Sequence, residues 1–297
     1  MASVTRATKP SAPVVASPSS SLIIISPLET RTSCGYNYRV VMNATVFPGG
    51  NVDTSDHDRA SSYEILDPTL DTFKRCAIRE TFEETGILIT KPRVQFASGD
   101  RKKWRSMVHE SGRAFPSLLD AYHVNLDLQE LVHYANWITP ATLPRRYNTN
   151  FFLSVVSSSE TLPARHDNSE TLQISHFTPA EGIEAHRSGK IVLFPPQLYM
   201  LHDLSTSKSY EELLEVMRTR AVVPTQPMFK PDLGHIVLPG DEARGGAPGT
   251  FNRIKVSVQK GNMAPLNIIR QNLHGFADML TEEVSATIEG ELLKEKL

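Results

Sequence analysis

Three glutamates, Glu80, Glu83 and Glu84, lie within five residues of the segment RETFEETG at positions 79–86. At about 100° per residue, a helix would place all three carboxylates within an arc of about 100°. Like charges at this spacing destabilise an exposed helix by roughly 0.2–0.5 kcal/mol per pair. Arg79, four residues before Glu83, offsets one of the charges. The remaining charge predicts a cation site, and carboxylate oxygens are the ligands that Mg²⁺ or Mn²⁺ prefers.

A solvated helix surface is the alternative interpretation of such a charge run. The segment, however, has an arginine, three glutamates and a glycine at set spacings, a combination that chance rarely produces in 297 residues. We therefore interpret the cluster as functional. A divalent ion held there would stabilise the charge that develops on a phosphoryl group and would activate a bound water for attack. The pattern thus predicts metal-dependent hydrolysis of a phosphorylated substrate.

The helix that must carry these glutamates is predicted at residues 68–87. Asp67 is a candidate N-cap, the proline that follows it suits the first turn, and Gly86 is typical of a helix end. Ile78 and Phe82 fall about 160° and 200° from the first glutamate and form an apolar face opposite the acids. We expect the helix to pack on a sheet through this face and to present the glutamates on the other.

The rest of the chain alternates between strand and helix patterns. Strands are predicted, in chain order, at SLIII, ATVFPGG, ILIT, VQFASG, NWITP, NFFLSVV, TLQISHFTP, HIVLP and RIKVSVQ. Helices are predicted as two short segments within residues 104–128, one from Pro179 to Gly189, PPQLYMLHDL, SYEELLEVMRTR and an acidic helix at the end of the chain. This alternation, with a hairpin-like stretch, predicts an α/β fold in which helices cover both faces of a mixed sheet.

The segment RETFEETGI and the upstream VFPGG resemble the signature of the Nudix hydrolases. The resemblance implies an α/β fold of the Nudix α/β/α sandwich type, with a mixed sheet, a helical insertion and a C-terminal extension. It also implies hydrolysis of a nucleoside diphosphate linked to another moiety. In that family, Glu80, Glu83 and Glu84 would be catalytic ligands of Mg²⁺ or Mn²⁺. Arg79 would take part in catalysis by orienting one of them.

The sequence departs from the common signature in three places. Gly50 and Arg79 are separated by 28 residues, 15 more than in that signature. Thr81 stands at an aliphatic position, and Asp71 stands where glutamate is usual. Gly49 and Gly50 are nevertheless expected to make a close turn beside the substrate phosphates, since glycine permits a close approach of the backbone.

The insertion and the segments WITPATLPRRYNTNFF, LFPPQLYML and HIVLPGDE are similar to one Nudix branch, the type-nineteen group of acyl-coenzyme A diphosphatases. This resemblance implies a small-molecule substrate, coenzyme A or acyl-coenzyme A, cleaved to 3′,5′-ADP and (acyl-)phosphopantetheine. Arg145 and Arg146 are candidate substrate-binding residues, since a guanidinium fork fits phosphate, although a solvated loop pair is the alternative. Another Nudix substrate, such as NADH or ADP-ribose, and a non-catalytic binding module stay open as alternative functions.

Composition limits the possible partners. The 31 Lys and Arg nearly balance the 33 Asp and Glu, which gives no whole-chain attraction to nucleic acid or to an anionic membrane. The two cysteines, Cys34 and Cys76, suggest neither a zinc site nor a disulfide framework. No apolar run approaches the roughly 18 residues of a membrane-spanning helix. We expect a soluble, intracellular protein, whose oligomeric state the sequence leaves open.

Three regions are predicted along the chain. They are a disordered tail or weak targeting segment at 1–20, a Nudix domain at 21–220 with insertions near 51–66 and 101–130, and a C-terminal extension at 221–297 packed on the domain. The final Glu-Lys-Leu matches the peroxisomal Ser-Lys-Leu address at two of three positions, and the acid-poor start resembles an organellar transit peptide. Peroxisome, mitochondrion and cytosol therefore all stay open as locations.

Overall fold

A computed structural model describes residues 14–16, 20–25, 28–32, 44–57, 69–140, 143, 145–157, 177–207, 210–259 and 262–273. Within these ranges the helices are α1 (Leu70–Thr85), α2 (Asp100–Glu110), α3 (Ala114–Tyr122), α4 (Pro179–Arg187), α5 (Pro195–Ser205) and α6 (Tyr210–Thr219). No helix in this part of the chain is long and apolar enough to cross a membrane.

The strands of the described residues form two larger sheets and two short pairs. They are β1 (Val14–Ala16), β2 (Ser20–Ile25), β3 (Leu28–Thr32), β4 (Ala44–Thr45), β5 (Thr90–Lys91), β6 (Asn125–Leu126), β7 (Val132–Ile138), β8 (Arg145–Ser157), β9 (Val192–Leu193), β10 (Met228–Lys230), β11 (His235–Val237), β12 (Phe251–Gln259) and β13 (Asn262–Gln271).

The long strand β8 is the centre of the first sheet. β7 pairs along one edge of β8, and β2 and β3 follow one another along the other edge, all antiparallel. β1 extends the sheet beyond β2. Strands β10 to β13 form a second antiparallel sheet in chain order. The two short pairs are β5 with β6, which is antiparallel, and β4 with β9, which is parallel.

Successive residues of β8 face opposite sides of the first sheet, as the two-residue period of a strand requires. Phe151 and Leu153 lie in one core with residues of α5 and α6. Phe152 and Val156 lie in a second core with residues of α1 and α3. Helices therefore cover both faces of this sheet, which confirms the predicted α/β sandwich. A strand buried on both faces also explains why NFFLSVV is apolar at consecutive positions.

The C-terminal sheet packs on the rest of the protein through the first of these cores. Ile254 and Ile268 are buried there with residues of α5. Arg270 of β13 forms an ion pair with Asp203 of α5, and its guanidinium carbon lies 3.9 Å from the centre of the Tyr199 ring. The C-terminal sheet thus shares a core with α5, and the three predicted regions, with their boundaries, stay a prediction.

Several local predictions differ from the structure. VQFASG pairs with no strand among the described residues, and its Phe96 stacks on Phe82 of α1 with ring centroids 5.8 Å apart. Of ILIT, only the last residue, Thr90, lies in a strand, which continues to Lys91. Within residues 1–20, Val14–Ala16 is a run rich in valine that pairs with β2, and the disordered tail or targeting segment expected there stays a prediction. The predicted terminal helix and most of TLQISHFTP lie outside the described residues.

Candidate active site

Both ends of α1 are fixed, which positions its glutamate face. The N-cap is Thr69 rather than the predicted Asp67, and its hydroxyl accepts a hydrogen bond from the Thr72 N–H at 3.2 Å. Gly86 ends the helix at φ 78°, in the left-handed conformation that favours glycine, as predicted. Arg105 of α2 donates hydrogen bonds of 2.8–3.2 Å to carbonyl oxygens of the last turn. These bonds satisfy acceptors that a helix end leaves open.

The apolar face of α1 is buried as predicted. Ile78 and Phe82 are 0% exposed, and full burial of such a side chain stabilises the fold by roughly 1.5–3 kcal/mol. Thr81, which stands at the aliphatic position of the signature, is equally buried, and its hydroxyl donates to the Ala77 carbonyl oxygen at 2.7 Å. Because the helix itself satisfies this hydroxyl, threonine is compatible with the core at this position.

The opposite face of α1 lines a cleft of about 650 Å³. Part of its lining consists of the predicted metal ligands and the predicted glycine turn: Glu80, Glu83, Glu84, Gly49 and Gly50. Arg79, residues 51–54 and residues 108–113 complete the wall. The first range opens one predicted insertion, and the second, where α2 leads into α3, lies within the other. The fold therefore brings the acids and the glycine turn together, and both insertions contribute to the cleft.

Arg79 is the centre of a buried ion network at this cleft. Its Nε donates to Asp56 Oδ1 and its Nη2 to Asp56 Oδ2, both at 2.8 Å. Nη1 donates to Glu80 Oε1 at 2.9 Å and to Glu83 Oε1 at 2.7 Å. Nη2 also donates to the Asn51 carbonyl oxygen at 3.0 Å. The predicted pairing of Arg79 with Glu83 is confirmed, and Asp56 is its second and stronger anchor.

The charges of this network leave an excess of negative charge. Burial and the neighbouring Glu80 carboxylate raise the pKa of Glu83 to about 7, and Arg79 offsets only part of that rise. For Arg79, burial opposes the charged form, but the hydrogen bond and charge of Asp56 outweigh burial and raise its pKa above the usual value. One permanent cation is thus shared among several acids, and a further cation would lower the electrostatic energy of the site.

The glycine turn contacts the glutamates directly. Gly49 donates its N–H to Glu84 Oε2 at 3.3 Å. A Cβ atom on Gly50 would collide with the carboxylate of Glu80. Only glycine therefore lets the chain pass so close to this carboxylate without displacing it. The collision gives glycine at position 50 a structural reason, whereas the N–H at position 49 could come from any residue except proline.

The oxygen donors of the cleft fit a divalent metal ion in kind. The three glutamates of α1 are hard ligands that line one cleft, with more negative charge than Arg79 offsets. In the observed conformation Arg79 binds two of them, and within the described ranges no three His, Cys, Asp or Glu side chains form a ready ligand set. Metal binding would therefore require a carboxylate to turn from Arg79 towards the cleft.

Other predicted site residues lie elsewhere. Arg146 belongs to β8, does not line this cleft, and donates from Nε to the Thr139 carbonyl oxygen at 3.1 Å. Arg145 is also in β8, but its side chain lies outside the described part of the chain. Their role in phosphate binding stays a prediction. Asp71, at the position of a signature glutamate, is exposed in the first turn of α1 and does not line the cleft.

Asp56 is a site residue that the sequence patterns missed. It ends a short 3₁₀ helix, Thr54–Asp56, and accepts a hydrogen bond from the Asp53 N–H at 2.8 Å. Asp53 in turn accepts from the Ser55 N–H at 2.8 Å. The Asp-x-x-Asp spacing is a capping pattern and would have indicated this turn. Nothing local indicates the partner of Asp56, which is 23 positions further along the chain.

Comparisons with known proteins identify the class. The family model described as the NUDT19 Nudix domain matches residues 58–204. The crystal structure of a NUDIX hydrolase from Alicyclobacillus acidocaldarius is similar with a TM-score of 0.50 and 21% identity, covering 74% of this chain and 100% of the other. That likeness shows a common fold. With the signature helix and its cleft in place, the chain belongs to the Nudix hydrolases, enzymes that cleave diphosphate linkages.

Within that class residues 58–204 are similar to the NUDT19 branch, whose Nudix-domain model they match. Acyl-coenzyme A diphosphatase NUDT19 of Xenopus laevis is 27% identical over 256 residues, which cover 67% of this chain and 67% of the relative. The proteins of the same name from Gallus gallus and Homo sapiens are 32% and 30% identical over 218 residues, covering 64% and 67% of this chain. Those two matches span only 57% and 56% of the relatives' own length.

Proposed function

We propose that this protein is a metal-dependent diphosphatase of coenzyme A or acyl-coenzyme A that releases 3′,5′-ADP and (acyl-)phosphopantetheine. The observation that carries the proposal is the cleft where three glutamates of one helix meet a glycine turn. The choice of substrate is inferred from the relatives, which are named acyl-coenzyme A diphosphatases. A divalent ion held by carboxylates and by substrate phosphates is the usual arrangement for such chemistry.

The roles of the acidic residues follow from their contacts. Glu80, Glu83 and Glu84 would hold Mg²⁺ or Mn²⁺, which supplies Lewis-acid stabilisation of the phosphoryl charge and an activated water. Arg79 orients Glu80 and Glu83 through Nη1 and is itself held by two hydrogen bonds to Asp56. This anchoring holds Glu80 and Glu83 at the edge of the cleft and limits the positions that they can take, so that only a short turn from Arg79 would bring a carboxylate to a bound ion.

Hydrolysis of coenzyme A and of acyl-coenzyme A by the purified full-length protein tests this proposal. We expect 3′,5′-ADP to form with Mg²⁺ or Mn²⁺ and none to form after EDTA, with chromatography to identify the nucleotide. NADH and ADP-ribose are the comparison substrates, because both release AMP. If AMP is released from NADH or ADP-ribose faster than 3′,5′-ADP is released from coenzyme A, that compound is the substrate instead. Absence of turnover on every substrate, with metal present, would favour a binding module.

Gly50→Ala is expected to lower the affinity of the site for Mg²⁺ with little effect on the stability of the protein. The new Cβ would collide with the carboxylate of Glu80, which lies at the end of a flexible side chain and can move aside. The folding cost therefore stays small, whereas a displaced ligand should lower the Mg²⁺ affinity about tenfold or more. Mg²⁺ titration of turnover measures the affinity, and thermal melting measures the stability. An unchanged Mg²⁺ dependence would contradict the proposed role of Glu80.

A further inference from the structure

Arg113 lines the acidic cleft with a charge that the protein does not use. It lies just before α3, and its side chain is exposed. Its guanidinium makes no hydrogen bond or ion pair with any residue that the structure describes. Arg79, the other arginine of the lining, is occupied by Asp56 and two glutamates. The cleft thus contains a cation that is available to a ligand.

The turn that carries Arg113 is held in place by packing and hydrogen bonds. Phe115 donates its N–H to the Gly112 carbonyl oxygen at 3.0 Å. Val108 and Phe115, on either side of the turn, are buried at 1% and 3% exposure. Gly112 lies so close to the opposite loop that a Cβ there would be 3.0 Å from the Ser55 hydroxyl oxygen. The Arg113 backbone is therefore fixed relative to the glutamate helix before any ligand binds.

We infer that Arg113 binds a phosphate group of the nucleotide substrate, an inference that rests on the proposed diphosphatase function. An acid-lined cleft repels a polyanionic substrate, so a cation in the wall lowers the cost of bringing the substrate in. A guanidinium offers two parallel N–H donors that match phosphate oxygens. Arg146 is less suited, because its Nε already donates to the Thr139 carbonyl oxygen and it does not line the cleft.

Coenzyme A presents two sources of this phosphate chemistry, the diphosphate that is cleaved and the 3′-phosphate of the adenosine. Both are anions that a guanidinium fork binds in the same way. Dephospho-coenzyme A, which lacks only the 3′-phosphate, separates the two sources. Arg113 would act in either case as a substrate-binding residue, so its loss should weaken binding more than it slows the chemical step.

Steady-state kinetics of Arg113→Gln and Arg113→Lys at saturating Mg²⁺ tests the inference. For coenzyme A, Arg113→Gln should raise KM about tenfold, as expected for loss of a hydrogen bond to a charged group, and should change kcat less than about threefold. Arg113→Lys keeps the charge but not the two parallel N–H donors, and its KM should lie between those of the wild type and Arg113→Gln. Arg218→Gln, at an exposed position of α6, is the matched control and should leave both constants unchanged.

Comparison of coenzyme A with dephospho-coenzyme A then shows which phosphate group Arg113 binds. A rise in KM for coenzyme A alone identifies the 3′-phosphate as the group bound, and an equal rise for dephospho-coenzyme A identifies the diphosphate. An unchanged KM in Arg113→Gln, or a loss confined to kcat, would overturn the inference. Thermal melting of each variant shows whether it is folded, and the exposed side chain of Arg113 leads us to expect no change in melting temperature.

A binding measurement separates failure of this inference from failure of the proposed function. If the wild type cleaves neither coenzyme A nor dephospho-coenzyme A, the proposed diphosphatase function is wrong. Calorimetric binding of 3′,5′-ADP to the wild type and to Arg113→Gln then still decides the role of Arg113. Weaker binding by the variant supports a phosphate contact at Arg113, whereas equal binding, or no binding by the wild type, overturns it.

Discussion

Glu83→Gln and Glu84→Gln are each expected to lower metal-dependent turnover at least about 100-fold, while the protein stays folded. Loss of a residue that only supports a metal ligand costs about 10–100-fold, so loss of the ligand's own charge should cost no less. The fold should survive, because the amide oxygen of glutamine still accepts the hydrogen bond that Arg79 gives to Glu83 or that Gly49 gives to Glu84. At position 83 the substitution also removes the repulsion from Glu80, which offsets a weaker pairing with Arg79.

Two measurements separate the loss of metal from the loss of chemistry in these variants. Calorimetric titration with Mg²⁺ in the absence of substrate reports metal binding, and turnover of coenzyme A reports catalysis. Glu215→Gln, at an exposed position of α6, changes the same charge away from the cleft and should behave like the wild type. Turnover at the wild-type rate in both cleft variants would show that Glu83 and Glu84 are not the metal ligands. Loss of turnover together with unfolding would assign the glutamates a structural role instead.

Elements shaped by local interactions were predictable from the sequence. The apolar period of α1 and the glycine at its end placed the helix at residues 68–87, and the structure places it at Leu70–Thr85. The segment VQFASG has the alternation of a strand, yet it forms none. Its Phe96 packs instead on Phe82, and a contact between an irregular segment and a helix leaves no periodic signal in the sequence.

The residues of the candidate site also divide into those that local spacing predicts and those that depend on tertiary contacts. Helical spacing alone puts the three glutamates on one face, so their common cleft was predictable. Asp56 was not, because its bond to Arg79 joins positions 23 apart across an insertion. Arg113 reaches the cleft only because Val108 and Phe115 bury the turn between α2 and α3, a tertiary arrangement that motif spacing does not contain. The resemblance selected Arg145 and Arg146 instead, by residue type.

Arg79→Ala is expected to lower the free energy of unfolding by about 3–5 kcal/mol, the loss typical of a buried ion pair that loses one partner. The Asp56 side chain is 1% exposed, so without Arg79 it would keep a buried charge supported mainly by the Asp53 N–H. Glu80 and Glu83 would lose the guanidinium nitrogen that they share. Because both effects act in the same direction, stability and turnover should fall together.

Two further variants separate the charge of Arg79 from its geometry. Arg79→Lys keeps the charge, but a single ammonium cannot bond to both oxygens of Asp56 while it also reaches Glu80 and Glu83. We expect a stability and a turnover between those of the wild type and Arg79→Ala. The double variant Arg79→Ala, Asp56→Asn no longer buries an unpaired charge. It should therefore recover part of the lost stability without recovering turnover.

Urea denaturation measures the stability of the Arg79 variants, and Mg²⁺ calorimetry distinguishes an orienting residue from a ligand. Arg79 competes with a cation for carboxylate oxygens of Glu80 and Glu83. Its removal should therefore reduce Mg²⁺ affinity less than Glu83→Gln does, even though turnover is lost in both. Wild-type stability in Arg79→Ala would contradict the buried network. Equal losses of Mg²⁺ affinity in the two variants would mean that the carboxylates bind metal only when Arg79 holds them in place.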